Sequence, residues 1–259
     1  HVGQHITVLS NANYVVASPD WDNGGTVDAG AVTWGNGSVP VTGAVSDSNS
    51  IYGTTTNDRV GLGGITEVAG GNYVINSYQW SNGAIPGATQ AGAVTWANGN
   101  ESSNFDVDAG NSLVGTRAGD SIGIGGVQAL ANGNYVVSSY LWDNGAVANA
   151  GAVTWGRGSG GTGGEVSAAN SLVGSSTDDV VGNGGITLFS NGNYLVYSPE
   201  WHAGPAAPRA GAMTLVDGEL GLAGQVGSAN SLVGDQADDR IGSGEYRELA
   251  SGDVLVRSP

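Results

Sequence analysis

Seven tryptophans, a periodic set of aspartates and three histidines are the residues of this 259-residue chain whose types and spacing could do chemistry. Trp21, Trp80, Trp142 and Trp201 each follow a serine by three residues, in loops rich in Gly, Asn and Asp. An indole held open at a constant place in every copy is a stacking platform for a sugar ring. The same indole turned inward is a large apolar filler. A tryptophan is costly to leave exposed, so packing is the expected role and glycan stacking the alternative. Trp34, Trp96 and Trp155 end a strand, and Leu215 replaces them once, which again points to packing. Asp58, Asp120, Asp179 and Asp239 recur just before the next copy begins. They could contribute to calcium sites, but a carboxylate in the same turn of every copy more often accepts backbone N–H bonds. Asp106-Val107-Asp108-Ala109-Gly110 echoes a calcium loop without its remaining ligands, and in one copy only. His1, His5 and His202 do not recur. The serines of Asn-Ser-Leu-Val have no histidine at matching spacing, which argues against a hydrolase triad. Asp178-Asp179 and Asp238-Asp239 are adjacent in sequence and tend to point apart, which suits solvent better than acid–base work. A site used once per protein should break the repeat, and nothing here does so convincingly. Neither catalytic residue, metal nor cofactor is expected, and the chain does not read as an enzyme.

What must position these residues is the repeat itself. Aligned on Val-Gly or Ile-Gly, copies start at Val2, Val60, Ile122, Val181 and Ile241, at intervals of 58, 62, 59 and 60 residues. The array reads as one domain over 1–259, with units 2–59, 60–121, 122–180, 181–240 and a partial unit 241–259. Each unit opens on a hairpin of strands a and b, placed at 186–189 and 194–197 in the clearest copy. Its turn pairs are Asn11-Ala12, Gly70-Gly71, Asn132-Gly133, Asn191-Gly192 and Ser251-Gly252. Asn-Gly and Gly-Gly tolerate the positive φ that a type I′ turn requires. Strand c carries Gly-Ala-Val-Thr-Trp from Gly30, Gly92 and Gly151, degraded to Gly-Ala-Met-Thr-Leu from Gly211. Strand d carries Asn-Ser-Leu-Val-Gly from Asn111, Asn170 and Asn230, and Asn-Ser-Ile-Tyr-Gly from Asn49. Four short antiparallel strands in roughly 60 residues is the signature of a blade, so the fold class is all-β and β-propeller-like. An open, superhelical stack of the same units is the alternative. Five hairpins share only four c–d pairs, so one end should present open sheet edge, and head-to-tail self-association or further repeats would cover it.

Composition supports this class. There are 47 Gly with no collagen triplet, so they serve turns. Apolar residues come in bursts too short for a membrane helix, and no membrane insertion is expected. Seven Arg, no Lys and a formal charge of −16 argue against nucleic acid and against an anionic membrane surface. The absence of Cys removes disulfides, thiolate zinc sites and cysteine nucleophiles together. The chain starts at His1 rather than Met, and is expected to be a processed product or an excised piece.

The phrases NGNYVVSSYLWDNGAVANAGAVTWGRG and AANSLVGSSTDDVVGNGGIT resemble the tandem repeats of unknown function in very large bacterial surface proteins. Some of those are similar to filamentous haemagglutinin and are exported by two-partner secretion. The resemblance covers nearly the whole chain and implies an extracellular, cell-surface, adhesin-like context, but it brings no established activity. A weaker likeness links the Gly-rich start of each unit and the later Ala-Gly-Ala-Val to the FG-GAP blades of integrin α-subunits. Their calcium loop of alternating Asp and Asn is replaced here by the two-residue Asn-Gly turn, so their calcium sites are not expected.

The function expected is a non-catalytic structural or adhesive repeat module of a secreted, filament-forming surface protein, with other copies of itself as partner. The alternative is a carbohydrate-binding propeller that stacks surface glycans on Trp21, Trp80, Trp142 and Trp201.

Overall fold

The protein is described by a computed structural model over residues 1–244, 246–248 and 254–256. The turn expected at Ser251-Gly252 lies outside the described residues, as do 249–250 of the strand expected at 246–250 and 257–258 of the strand expected at 254–258. The chain forms two compact units. His1–Ala129, Gly133–Val137 and Gly156–Val166 make the first; Leu130–Asn132, Ser138–Trp155 and Ser167–Pro259 make the second.

Among the described residues, all regular structure except one short 3₁₀ turn is β. In the first unit, β1 (His5–Val8), β2 (Tyr14–Ser18), β3 (Ala31–Gly35) and β4 (Ser50–Tyr52) pair in sequence as an antiparallel meander. The second repeat copies it with β5 (Ile65–Val68), β6 (Asn72–Ser77), β7 (Ala93–Ala97) and, after the short β8 (Phe105–Asp106), β9 (Ser112–Val114). The third repeat divides between the two units. Its hairpin of β10 (Val127–Ala129) and β11 (Tyr135–Ser139) is followed by β12 (Ala152–Gly156), β13 (Gly164–Glu165) and β14 (Ser171–Val173). The second unit adds the fourth meander of β15 (Gly185–Leu188), β16 (Tyr194–Ser198), β17 (Ala212–Val216) and β19 (Leu232–Val233), with β18 (Gly224–Gln225) between the last two in sequence. β20 (Tyr246–Glu248) pairs with β21 (Val254–Val256) as a fifth hairpin.

The expected strands a to d therefore form in each full repeat, but the sheets are not purely antiparallel. β8 adds to β4 as a parallel fifth strand, β13 to β9 and β18 to β14, each supplied by the following repeat. This corrects the four-stranded antiparallel blade. Among the described residues no closed barrel is found.

Why the sequence folds this way is clear in strands b and c. β6, β11 and β16 are buried almost throughout, so both faces of the strand are covered and polar alternation is absent. In the first unit Val15, Val32, Ile51, Tyr73, Ile75 and Trp80 belong to one core that spans the first two repeats. The hairpin tyrosines belong to the packing. Tyr73, Tyr135 and Tyr194 are fully buried, and Tyr14 lies over the bare backbone of its cross-strand partner Gly35.

The hairpin loops share one length but differ in conformation. At 69–71, between the paired Val68 and Asn72, Gly70 and Gly71 both have positive φ, 76° and 72°, and the Asn72 N–H donates to Ala69 O, so the dihedral signs of a type I′ turn are kept inside a three-residue loop. At 189–193 the loop has three residues. The Gly192 N–H donates to Phe189 O, the Phe189 N–H donates to Asn193 O, and only Gly192 has positive φ. That is a turn followed by one left-handed residue, not the expected two-residue turn. Leu9 to Asn13 repeats the pattern with Ala12 at φ 68°. A side chain at this position costs about 1–2 kcal/mol, and a β-branched one more. Gly192→Val should thus destabilise by about 2–3 kcal/mol, and Ala12→Gly should stabilise by up to about 1 kcal/mol. Urea midpoints test both, and a Gly192→Val protein melting with wild type would remove the left-handed assignment.

Candidate functional site

The loop tryptophans are fixed before their side chains are considered. The Trp21, Trp80, Trp142 and Trp201 N–H groups donate to Ser18, Ser77, Ser139 and Ser198 carbonyls. Their own carbonyls accept from Gly30, Gly92, Gly151 and Gly211, which open strand c. Each b–c loop is thus closed on its tryptophan. Trp80, Trp142 and Trp201 are only 3%, 4% and 6% exposed, and Trp21 is half-buried. A sugar ring needs an open indole face, so the glycan-stacking expectation is corrected at those three positions. The physical reason is area: an indole offers more apolar surface than any other side chain to the core beside it. The buried indole N–H groups of Trp80 and Trp201 have no hydrogen-bond partner among the described residues, so these rings act as apolar fillers.

The strand c tryptophans do something different. Trp34 Nε1–H donates to Gly99 O at 2.8 Å, Trp96 to Gly158 O at 2.9 Å and Trp155 to Gly218 O at 2.8 Å. Each acceptor lies in the c–d loop of the following repeat. A Cβ on Gly161 would meet the Trp96 ring, and one on Gly221 the Trp155 ring, so each indole is covered by bare backbone of that loop. The position in the fourth copy, Leu215, is 54% exposed. Asn11 Nδ2–H also donates to Gly99 O at 2.9 Å, and Asn132 to Gly218 O at 2.8 Å.

Beside each bolt lies the donated strand. Val107, Val166 and Val226 follow β8, β13 and β18, and their N–H groups donate to Tyr52, Val114 and Val173 carbonyls of the preceding repeat at 3.0, 3.1 and 3.0 Å. All three valines are buried. Sequence reasoning missed this strand because two residues give no periodicity. A signal did exist: Val45, Val107, Val166 and Val226 each stand four residues before the Asn of strand d.

The aspartates are turn staples. Asp58 Oδ2 accepts from Thr54 and Thr55 N–H at 3.0 and 2.7 Å, and Oδ1 accepts from Ser81 N–H of the next repeat at 2.9 Å. Asp179 does the same with Ser175, Ser176 and His202. Asp120 and Asp239 hold the two equivalent N–H groups of their own turns. Oxygens that already accept backbone N–H bonds are poorly placed to ligate calcium. His202 adds a contact that its sequence did not show: Nδ1 lies 2.9 Å from Asp179 Oδ1, so that nitrogen carries the hydrogen when the carboxylate is ionised. Its carboxylate is the staple itself, not a free base. His1 and His5 are exposed.

Burial pushes the Asp58 carboxyl up to about 6, against the pull of its three backbone donors. The folded-state value lies above the unfolded one. The stability linked to this group is therefore full below pH ~4 and is lost as pH rises through ~6, a span of up to about 3 kcal/mol. Urea midpoints at steps from pH 4 to 7 should fall more steeply for wild type than for Asp58→Asn. Parallel profiles would remove Asp58 as the source.

The strand d serines are likewise taken. Ser50, Ser112, Ser171 and Ser231 each share a 2.7 Å hydrogen bond with the strand c threonine, Thr33, Thr95, Thr154 or Thr214. Thus every repeated polar residue that could do chemistry is engaged in joining strands, closing turns or holding one repeat to the next. The site that recurs is the junction.

A search of curated proteins gives no match to the chain. A family model described as a repeat of unknown function (DUF5650) matches residues 8–62, 67–124, 129–183 and 188–243. With four tandem copies that cover most of its length, the chain belongs to this family of repeats of unknown function.

Proposed function

We propose that the chain is a non-catalytic, structural and adhesive repeat module of a secreted bacterial surface or filament-forming protein, and that its copies associate through repeat–repeat contacts. The observation that carries the reading is the recurring junction: an indole bolt and a donated strand, built at equivalent positions at each of the three places where one full repeat follows another. Residues spent on joining bricks in every repeat suit an extended scaffold better than a single active centre. Blades in series, in the manner of a propeller or a stack, belong to the same proposal. The wording of the repeats, similar to that of large exported surface proteins, supports the location. A charge of −16 without any Lys suits a repetitive β-rich surface that must stay soluble outside the cell.

The test is antibody labelling of intact, non-permeabilised cells that make the protein, before and after external protease. Surface signal that protease removes is the expected result. Signal seen only after permeabilisation would overturn the secreted, surface-exposed reading.

A further inference from the structure

The same strand d residue has two fates. Ile51, Leu113 and Leu172 are at most 1% exposed, whereas Leu232, in the identical Asn-Ser-Leu-Val-Gly phrase, is 54% exposed. The first three lie under a donated strand, in register with Phe105, Gly164 and Gly224. β19 has no such strand on its outer edge among the described residues. Sequence does not account for the difference; the cover does.

The chain also carries a donor that pairs with no strand among the described residues. Residues 43–45 align with the three donors, yet they form no strand, and Val45 is only half-buried where its counterparts are buried. They are nonetheless held ready. Asn49 Nδ2–H donates to Ala44 O at 2.9 Å, and Asn49 Oδ1 accepts from Ser46 N–H at 2.9 Å. Asn111 and Asn230 hold their donors by the same two bonds, at 2.8 and 3.0 Å and at 2.9 and 3.0 Å. Gly43 has φ 98°, close to Gly164 at 91° and Gly224 at 113°. Beside this segment, Val39 and Val41 are exposed, as are Ile6 and Val8 of β1. In the second repeat Ile65, the counterpart of Ile6, packs against the core that the first repeat shares.

We infer that the β19 edge of one copy accepts the Gly43–Ala44–Val45 segment of a second copy as a parallel fifth strand. Val45 N–H then donates to Val233 O, Ala44 lies opposite Val233, and Gly43 lies opposite Leu232. This is the geometry of the three internal junctions applied between molecules. It rests on the reading that copies associate through repeat contacts, and it names the edge and the segment that meet.

The chain has no cysteine, so cross-linking can be read cleanly. Residues opposite each other on paired strands lie within disulfide reach, about 4.4–6.8 Å between Cα atoms. An equimolar mixture of Ala44→Cys and Val233→Cys proteins should form the mixed disulfide dimer at least about tenfold faster than either alone forms its homodimer. Sedimentation velocity on the unmodified chain should show mass rising with concentration up to roughly 100 µM, as a micromolar complex would. Val45→Asp, at a half-buried position, and Leu232→Asp, at an exposed one, should each abolish that rise, and Leu232→Asp should leave the thermal melt in place.

A monomer throughout, with no preferred mixed disulfide, overturns the proposal. Association that survives both aspartate substitutions also overturns it, but leaves the broader reading of self-association standing. A labelled peptide copying 160–170 that binds the chain while the chain itself stays monomeric overturns the second copy as occupant and assigns the edge to a separate polypeptide.

Discussion

Gly151→Ala is expected to cost about 4 kcal/mol, near the top of the range for a single substitution. Two penalties meet at this residue. Its φ is +75°, where an L side chain costs about 1–2 kcal/mol. A Cβ would also stand 2.6 Å from the Val180 carbonyl carbon and closer still to the Val181 nitrogen. Those atoms cannot step aside, because Val181 N–H donates to Ala150 O at 3.1 Å and Gly174 N–H to Gly151 O at 3.1 Å. The same approach recurs at Gly30, Gly92 and Gly211, which is why each strand c phrase opens on glycine. Two controls separate the terms. Gly145→Ala meets a φ of +62° but open space, and should cost only about 1 kcal/mol. Gly160→Ala meets open space and no left-handed φ, and should stay within about 0.5 kcal/mol. Urea unfolding of the three variants reads the order directly. Equal losses at Gly151 and Gly145 would sink the steric half of the explanation.

The second large effect is at the bolt. Trp96→Ala should destabilise by about 3 kcal/mol, from lost ring packing over Gly161 and a lost hydrogen bond to Gly158 O. Trp96→Phe keeps much of the area and should lose only about 1 kcal/mol. The damage should also be local. Amide exchange at Val166, whose N–H donates to Val114 O beside the bolt, should accelerate, while the β6–β7 ladder stays protected. Leu215→Ala is the control: the residue occupies the same place in its repeat but is largely exposed, so a change within about 0.5 kcal/mol is expected. A Trp96→Ala protein with wild-type stability and unchanged Val166 exchange would show that the indole does not join the repeats.

These expectations differ in how far they could be read from the chain. The period, the all-β class and strands a to d were legible because each leaves a local mark: a glycine-bearing turn, a burst of apolar residues, a fixed spacing. The role of the recurring aspartates was legible for the same reason, since a carboxylate repeated in one turn position finds its backbone donors within four residues. Turn type was less so. Asn191-Gly192 and Gly70-Gly71 read alike and close loops of the same three-residue length, but φ is positive at both glycines of the one and only at Gly192 of the other, because a second glycine removes the Cβ that disfavours the left-handed region.

Contacts between repeats were decided only in three dimensions. In sequence, Trp80 and Trp34 are both aromatic residues at repeat-specific positions, and nothing local says which turns inward as filler and which reaches the next repeat. The partner of Trp34 is a carbonyl 65 residues away, and the strand that covers Ile51 is two residues long and comes from the following copy. Leu172 and Leu232 carry one phrase and differ in burial because, among the described residues, only Leu172 has a donated strand beside it. The sequence by itself determined the brick, since turns and strands answer to neighbours along the chain. The tertiary structure alone decided the mortar, since burial and backbone pairing answer to neighbours in space.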